Sequence, residues 1–255
     1  IDHGRNYVEE TYKRPFLDRT FRNILSFVLP KPNIFLILAI ASKVIKPFSF
    51  LLPQFLKNSL NLMPNRIPSK KLKSQKVYSP KNNKIVSRVA LLTGCVQRVI
   101  APEINEATIR LLNRHNVEVV VMPDVECCGS LNHHLGKKDL ARISFVKNIE
   151  SWHQEYLDKG LDAIISNTSG CGTTLKDYGH IFKNDKVFKK KAKKISDLTK
   201  DITEYLHENL KLNYKKTEEK NYKVAYHSAC SMQHGQKIHD QPKELISKTG
   251  SEVLE

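Results

Sequence analysis

The sequence has 255 residues, of which 42 are Lys or Arg and 26 are Asp or Glu, giving a net charge of +16 with 40% hydrophobic residues. That is enough for one large or two modest domains with a buried core, and it excludes chain-wide disorder, a collagen-like repeat and a disulfide-dense mini-scaffold. The basic residues are 32 Lys and only 10 Arg, read as dispersed along the chain. Specific nucleic-acid readers depend on Arg forks and interleaved aromatics, so a nucleic-acid partner is not expected.

The chain begins at Ile1 and ends at Gly250-Ser251-Glu252-Val253-Leu254-Glu255, which reads as the opening of a strand. It is therefore expected to be a piece of a longer protein. Residues 1–30 are polar and basic with scattered apolar positions. Eight apolar residues follow, Ile34 to Ala41, with Pro32 before them and Lys43, Lys46 and Pro47 after. A membrane span needs about 20 such residues, so the expected element is a helix from Pro32 to Pro47 packed on a domain core. The alternative is an interfacial helix, with Leu36, Ile40, Val44 and Phe48 facing lipid or a membrane subunit.

Residues 62–85 hold Pro64, Pro68, Pro80 and a Lys-rich run, the composition of a linker. Beyond it the pattern changes. Val89-Ala90-Leu91-Leu92 reads as a buried strand, 102–114 as a helix with Pro102 in its first turn, and Val117 to Met122 as a strand. A helix over about 138–159 and a strand over 161–166 follow. Polar helices around 181–210 and a strand at Tyr222–Tyr226 come next. Strands alternating with helices predict an α/β fold with a small, mainly parallel sheet.

Part of this pattern repeats. The stretch Arg88 to Gln97, ending in Gly94-Cys95-Val96-Gln97, lines up with Lys223 to Gln233, ending in Ala229-Cys230-Ser231-Met232-Gln233. Asn116-Val117-Glu118-Val119-Val120 likewise resembles Gly250-Ser251-Glu252-Val253-Leu254. The expected organisation is a helical segment (1–61), a linker (62–85), one whole unit (86–220) and the start of a second unit (221–255).

All five cysteines, Cys95, Cys127, Cys128, Cys171 and Cys230, follow a predicted strand and sit beside small residues. In open α/β sheets the carboxyl ends of the strands form the ligand crevice. Cys95, Cys127, Cys128 and Cys171 are thus expected to converge. Four readings are open at this point: buried free thiols, disulfides, a zinc site and an iron–sulfur cluster. An odd count and an adjacent pair disfavour disulfides, and the absence of C-x2-C disfavours zinc. Soft thiolates gathered from several loops, in glycine-rich surroundings, suit iron–sulfur ligation.

Glu126-Cys127-Cys128-Gly129, with Cys95 before it and Cys171 after it, resembles the cysteine-rich CCG domain family found in heterodisulfide reductase B subunits and related respiratory proteins. Three longer stretches resemble the iron–sulfur subunits of glycolate oxidases within that family. They are Cys127 to Gly136, Asn167 to Gly172 with Lys176-Asp177-Tyr178-Gly179-His180, and His227 to Gln236. Ile1-Asp2-His3-Gly4-Arg5 resembles the segment after their ferredoxin domain. The resemblance implies an electron-transfer subunit that passes electrons from a flavin subunit oxidising glycolate to glyoxylate toward a quinone or another acceptor.

It further implies iron–sulfur cofactors, [4Fe–4S] in kind, with Cys95, Cys127, Cys128 and Cys171 as ligands and Cys230 opening a second set. No residue is expected to be catalytic in its own right. The implied partners are flavin-containing subunits, with membrane or quinone contact, and the implied location is the cytoplasm or the inner-membrane surface. The full family motif ends in C-x2-C, whereas Thr168 stands three residues before Cys171. Lactate or glycerol-3-phosphate oxidation, heterodisulfide reduction and a zinc-stabilised interaction module are the alternatives. His133, His134, His180, His227 and His234 are secondary candidates. Asp124 and Glu126 read as loop carboxylates, and Trp152 and Tyr178 as packing residues. No phosphate-binding loop or nucleophile elbow is present in the sequence.

Overall fold

The computed structural model describes residues 2–63, 76–125, 127–212 and 222–254. Helices α1 (Asp2–Thr11), α2 (Phe16–Val28) and α3 (Pro32–Ile45) open the chain. A 3-10 turn over Lys46–Leu51 and helix α4 (Gln54–Asn61) follow. The sheet unit then runs β1 (Lys76–Tyr78), β2 (Ser87–Leu92), α5 (Gln97–Ile100), α6 (Pro102–Arg114), β3 (Val117–Val121), α7 (Ser130–His134) and α8 (Lys138–Lys159). It continues with β4 (Ala163–Ser166), α9 (Ser169–Lys176), α10 (Tyr178–Ile181), α11 (Lys189–Leu198), β5 (Thr199–Asp201) and α12 (Ile202–Asn209). A smaller unit holds β6 (Lys223–Ala225), a π-turn at Ser231–Gln236, α13 (Gln241–Ser247) and β7 (Glu252–Leu254).

The fold is α/β. The large sheet has the order β1-β3-β2-β4-β5, parallel except for β1 at its edge. Strand alternation feeds two cores. Ala90, Leu92 and Ile164 face α8, α9 and α11 through Phe145, Ile149, Trp152, Leu175 and Ile195. Val89, Leu91, Val119 and Ile165 face α6 and α12 through Ile109, Leu112 and Tyr205. Both faces of β2 and β4 are buried, and so both strands read as continuous apolar runs. From β2 the chain moves to β3 on one side, then crosses to β4 on the other. This puts the topological switch point, where ligand crevices form, at the carboxyl ends of β2 and β4.

The predicted strands at β2, β3 and β4 and the predicted helices at α6 and α8 are all present. Two short strands were not legible. β1 lies within the stretch read as a linker and docks on the edge of β3, while β5 sits between the predicted polar helices. Each has three residues, too few to show a period. Half of that linker, residues 64–75, lies outside the described residues. The expectation of a core-packed helix at α3 needs correction. Only Pro32, Phe35 and Ala39 are buried, because apolar residues surround the whole helix while a single stripe meets Val28 and Val99.

The internal repeat is visible in backbone and side chains. β2 pairs with β3 in parallel with Arg88 opposite Glu118, and β6 pairs with β7 in parallel with Lys223 opposite Glu252. The ion pair recurs too, at 2.8 Å for Arg88–Glu118 and 3.7 Å for Lys223–Glu252. In each unit a helix with Pro in its first turn links the two strands. Trp152 is fully buried among Ala90, Ile164 and Ile195. Replacing it with Ala should cost about 3–5 kcal/mol, read as a lower urea midpoint at unchanged m.

Candidate metal centre

Each thiol of the large unit sits where a strand ends. Cys95 follows β2 after Gly94, which adopts φ +71°. Cys127 and Cys128 come six and seven residues after β3 ends. Cys171 lies in the first turn of α9, directly beyond β4. The structure brings these four together at the switch point. Cys128 Sγ lies 3.1 Å from Cys171 Sγ, and the Cys127 thiol interacts electrostatically with those of Cys95 and Cys128. All are free thiols; Cys127 and Cys128 are buried and Cys95 and Cys171 half-buried. Cys230 is exposed at the head of the π-turn and lies outside this group.

Electrostatics divide the four unequally. Cys127 is held down to about 3, first by the Cys128 thiol donating to it, then by the Cys95 thiol and the Gly129 N–H. The donors shift the other way: hydrogen bonding to Cys127 pushes Cys95 and Cys128 well up, with burial adding to this. One negative charge therefore settles on Cys127, stabilised as a hydrogen-bond acceptor. Gly129 N–H reaches Cys127 Sγ at 3.4 Å.

Two residues hold the adjacent cysteines by their backbone. Asn148 Nδ2 donates to the Cys127 carbonyl at 2.8 Å and to Tyr178 Oη at 3.0 Å. Tyr178 Oη donates to the Cys128 carbonyl at 2.8 Å. Both side chains are buried, Tyr178 at 0% and Asn148 at 1% exposure. Burial pushes the Tyr178 phenol well above its ordinary range, so it remains a donor. The sequence reading placed Tyr178 in packing and passed over Asn148. The available signal was an Asn on the apolar stripe Ala141, Phe145, Ile149 and Trp152 of α8.

Directly after the pair, Gly129 takes φ +81°, and a Cβ there would lie 2.5 Å from Phe145 Cε1. Only glycine permits both the left-handed turn and that approach. A second network joins the loops after β2 and β4. Gln97 Nε2 donates to Asn105 and Asn167, Asn105 Nδ2 donates to the Thr93 carbonyl, and Thr168 Oγ1 donates to Gln97 Oε1. The hydroxyl of Thr168, at the position of the missing motif cysteine, is thus engaged with Gln97. The set is four thiols.

The histidines lie elsewhere. His133 and His134 on α7 meet Asp2 and Arg5 of α1, and His133 also meets Phe145 edge-on. His180, His227 and His234 are exposed. Glu126 lies outside the described residues. Asp124 lines a cavity of about 530 Å³ between α2 and α8, whose wall includes Cys127, Asn148, Phe27, Lys31, Lys137 and Lys147.

In kind and number the donors fit a thiolate-held metal group: four soft sulfurs, a hydrogen-bond-donating backbone and lysines that offset negative charge. One pair, Cys128 and Cys171, is drawn together more tightly than ligands around a metal. Tetrahedral zinc at about 2.3 Å keeps its sulfurs roughly 3.7 Å apart, against 3.1 Å for Cys128 and Cys171. Among the described residues no three His, Cys, Asp or Glu side chains surround a common metal-ion position. Loading therefore requires Cys128 and Cys171 to part.

Comparison with known proteins gives a family match over residues 89–176 to the cysteine-rich domain termed CCG. The chain is 32% identical over 98% of its length to the glycolate oxidase iron–sulfur subunit of Escherichia coli, covering 58% of that protein. It is 29% identical over 80% of its length to the probable glycolate oxidase iron–sulfur subunit of Bacillus subtilis, covering 45% of it. It is 25% identical over 62% of its length to lactate utilization protein A of Bacillus licheniformis, covering 64% of it. The chain thus spans about half the length of the two glycolate oxidase subunits.

Two outcomes check the site. Gly129→Ala should lose about 2–4 kcal/mol through left-handed strain and overlap with Phe145, read by urea unfolding. The metal-free, reduced chain should show ultraviolet thiolate absorbance at neutral pH that persists to near pH 3. Cys127→Ser should abolish it.

Proposed function

We propose that this chain, whose residues 89–176 are a CCG cysteine-rich domain, belongs to an iron–sulfur electron-transfer subunit of a glycolate-oxidising complex. The observation that carries the reading is the convergence of Cys95, Cys127, Cys128 and Cys171 at the sheet's switch point. These four would hold an iron–sulfur cluster, [4Fe–4S] being the type that four thiolates match. When bound, such a cluster supplies reversible one-electron storage. Cys230 would open the corresponding set of the second unit.

The roles of the chain's own residues follow from their positions. Asn148 and Tyr178 fix the backbone of the adjacent cysteines, limiting how far Cys127 and Cys128 shift between charge states. The Gly129 N–H donates to Cys127 sulfur, which favours the more negative state and tunes its potential. The buried neighbours Val125 and Phe145 shield Cys128 from water. Cys95 and Cys171, the half-buried pair, are the two thiols nearer the surface. The cavity beside Cys127 gives an electron donor or acceptor a route to within contact of a ligand. Flavin chemistry on 2-hydroxy acids would belong to a partner subunit, with a quinone or another carrier as the acceptor. The relationship to lactate utilization protein A favours lactate as the second substrate reading.

The test is anaerobic reconstitution of the full-length subunit with iron and sulfide, comparing wild type with Cys128→Ser. About four fewer irons in the variant, with electron transfer from the flavin subunit reduced at least tenfold, is the expected result. Unchanged iron and unchanged transfer would overturn the reading. Stoichiometric zinc without acid-labile sulfide would replace it with the structural-module alternative. Tyr178→Phe should retain iron while lowering stability by about 1–3 kcal/mol, because the Cys128 carbonyl loses its buried donor.

A further inference from the structure

The net charge is concentrated in one stretch. Residues 19–102 contain 15 Lys and Arg and neither Asp nor Glu, and the other 27 basic residues are almost balanced by all 26 acidic ones. Within this acid-free stretch, α3 continues without a break into the turn at Lys46–Leu51. The combined run Pro32–Leu51 is apolar and long enough to cross a membrane by length and composition, yet only Pro32, Phe35 and Ala39 of it are buried. Ile37, Ile40, Val44, Phe48, Phe50 and Leu51 are each more than half exposed. Lys31, Lys43, Lys46 and Lys57 border them in sequence.

We propose that Pro32–Leu51 seats the chain on an anionic phospholipid surface, lying along the interface rather than crossing it. Three observations favour lying flat. The regular helix α3 has 14 residues, about 21 Å against a hydrocarbon core of about 30 Å. Its stripe of Pro32, Phe35 and Ala39 is packed on Val28 and Val99, so the helix cannot enter the bilayer without leaving the protein. Lys43, Lys46 and Pro47 interrupt the apolar run where an interfacial element tolerates them.

The choice of lipid as occupant rests on charge complementarity. An apolar face this large marks an interaction surface. One bordered by Lys31, Lys43, Lys46 and Lys57, within residues 19–63 where no carboxylate occurs, matches the uniformly negative headgroups of an anionic leaflet. Phe27 and Lys31, beside the start of α3, also line the cavity that reaches Cys127. Docking through this face would bring the cavity near the membrane. The proposal holds whatever the thiols bind.

The experiment is co-sedimentation of the full-length subunit with vesicles of phosphatidylcholine alone or mixed equally with phosphatidylglycerol. The expected result is binding to the mixed vesicles, weakening with salt, and little binding to phosphatidylcholine. Val44→Glu with Phe48→Glu should weaken mixed-vesicle binding at least tenfold, and Lys43→Gln with Lys57→Gln roughly tenfold with a flatter salt dependence. A folding defect is separated by the reporter Phe48→Trp: its emission should be quenched by brominated lipid, while fully buried Trp152 should not. Equal binding to both vesicle types, or no quenching at Phe48→Trp, overturns the proposal. So does a Val44→Glu with Phe48→Glu variant that keeps its vesicle binding but loses a second copy or a partner subunit, because the face then belongs to a protein.

Discussion

Everything at the site depends on how two consecutive carbonyls are held. Cys127 and Cys128 follow an irregular stretch after β3, where no strand partner remains to fix the backbone. Asn148 and Tyr178 supply the missing donors, and the two are linked to each other. In a dry interior such bonds exclude alternatives, because an unpaired carbonyl would cost about 1–3 kcal/mol. The clamp fixes the adjacent pair while leaving Cys95 and Cys171 on separate elements.

The N-terminal helices belong to this arrangement. Ser26 of α2 donates to buried Asn132, and Arg22 reaches the Leu135 carbonyl, so α2 is tied to the helix that follows Cys127-Cys128-Gly129. α3 packs beside Val99 in α5, the helix that follows Cys95. The segment therefore braces two of the three cysteine loops from outside, and the cavity lies along that seam. At Gly136 the chains approach so closely that a Cβ would lie 2.7 Å from the Arg5 carbonyl oxygen. The apolar face of α3 is on the same segment, which couples any surface it rests on to the loops carrying sulfur.

The second unit is attached to the first through α9, the helix carrying Cys171. Thr173 donates to the Ser231 carbonyl, and Gln236 donates to the Ser169 carbonyl while closing over Gly172. The repeat thus brings the segment after Cys230 against the helix of Cys171, though Cys230 itself remains exposed. Two similar units in contact through their cysteine-bearing elements suit passage of electrons between sites, a reading that rests on the proposed cofactors.

By itself the sequence determined the α/β class and the repeat, and it singled out the four cysteines that the fold brings together. Local chemistry carries those properties: runs of Val and Ile, Pro in first turns, and Gly beside Cys at strand ends. It misread α3 as a core helix because apolar periodicity counts hydrophobic residues but not neighbours, and the neighbours cover a single stripe. It read the charge as dispersed, since the acid-free stretch matters only when set beside the exposed face it contains. Tertiary structure alone decided that Asn148 and Tyr178 clamp the cysteine backbone, that Thr168 is engaged with Gln97, and that a cavity reaches Cys127. These contacts join residues 20 to more than 100 positions apart, and their geometry is set by how the helices pack on the sheet, which no local pattern encodes.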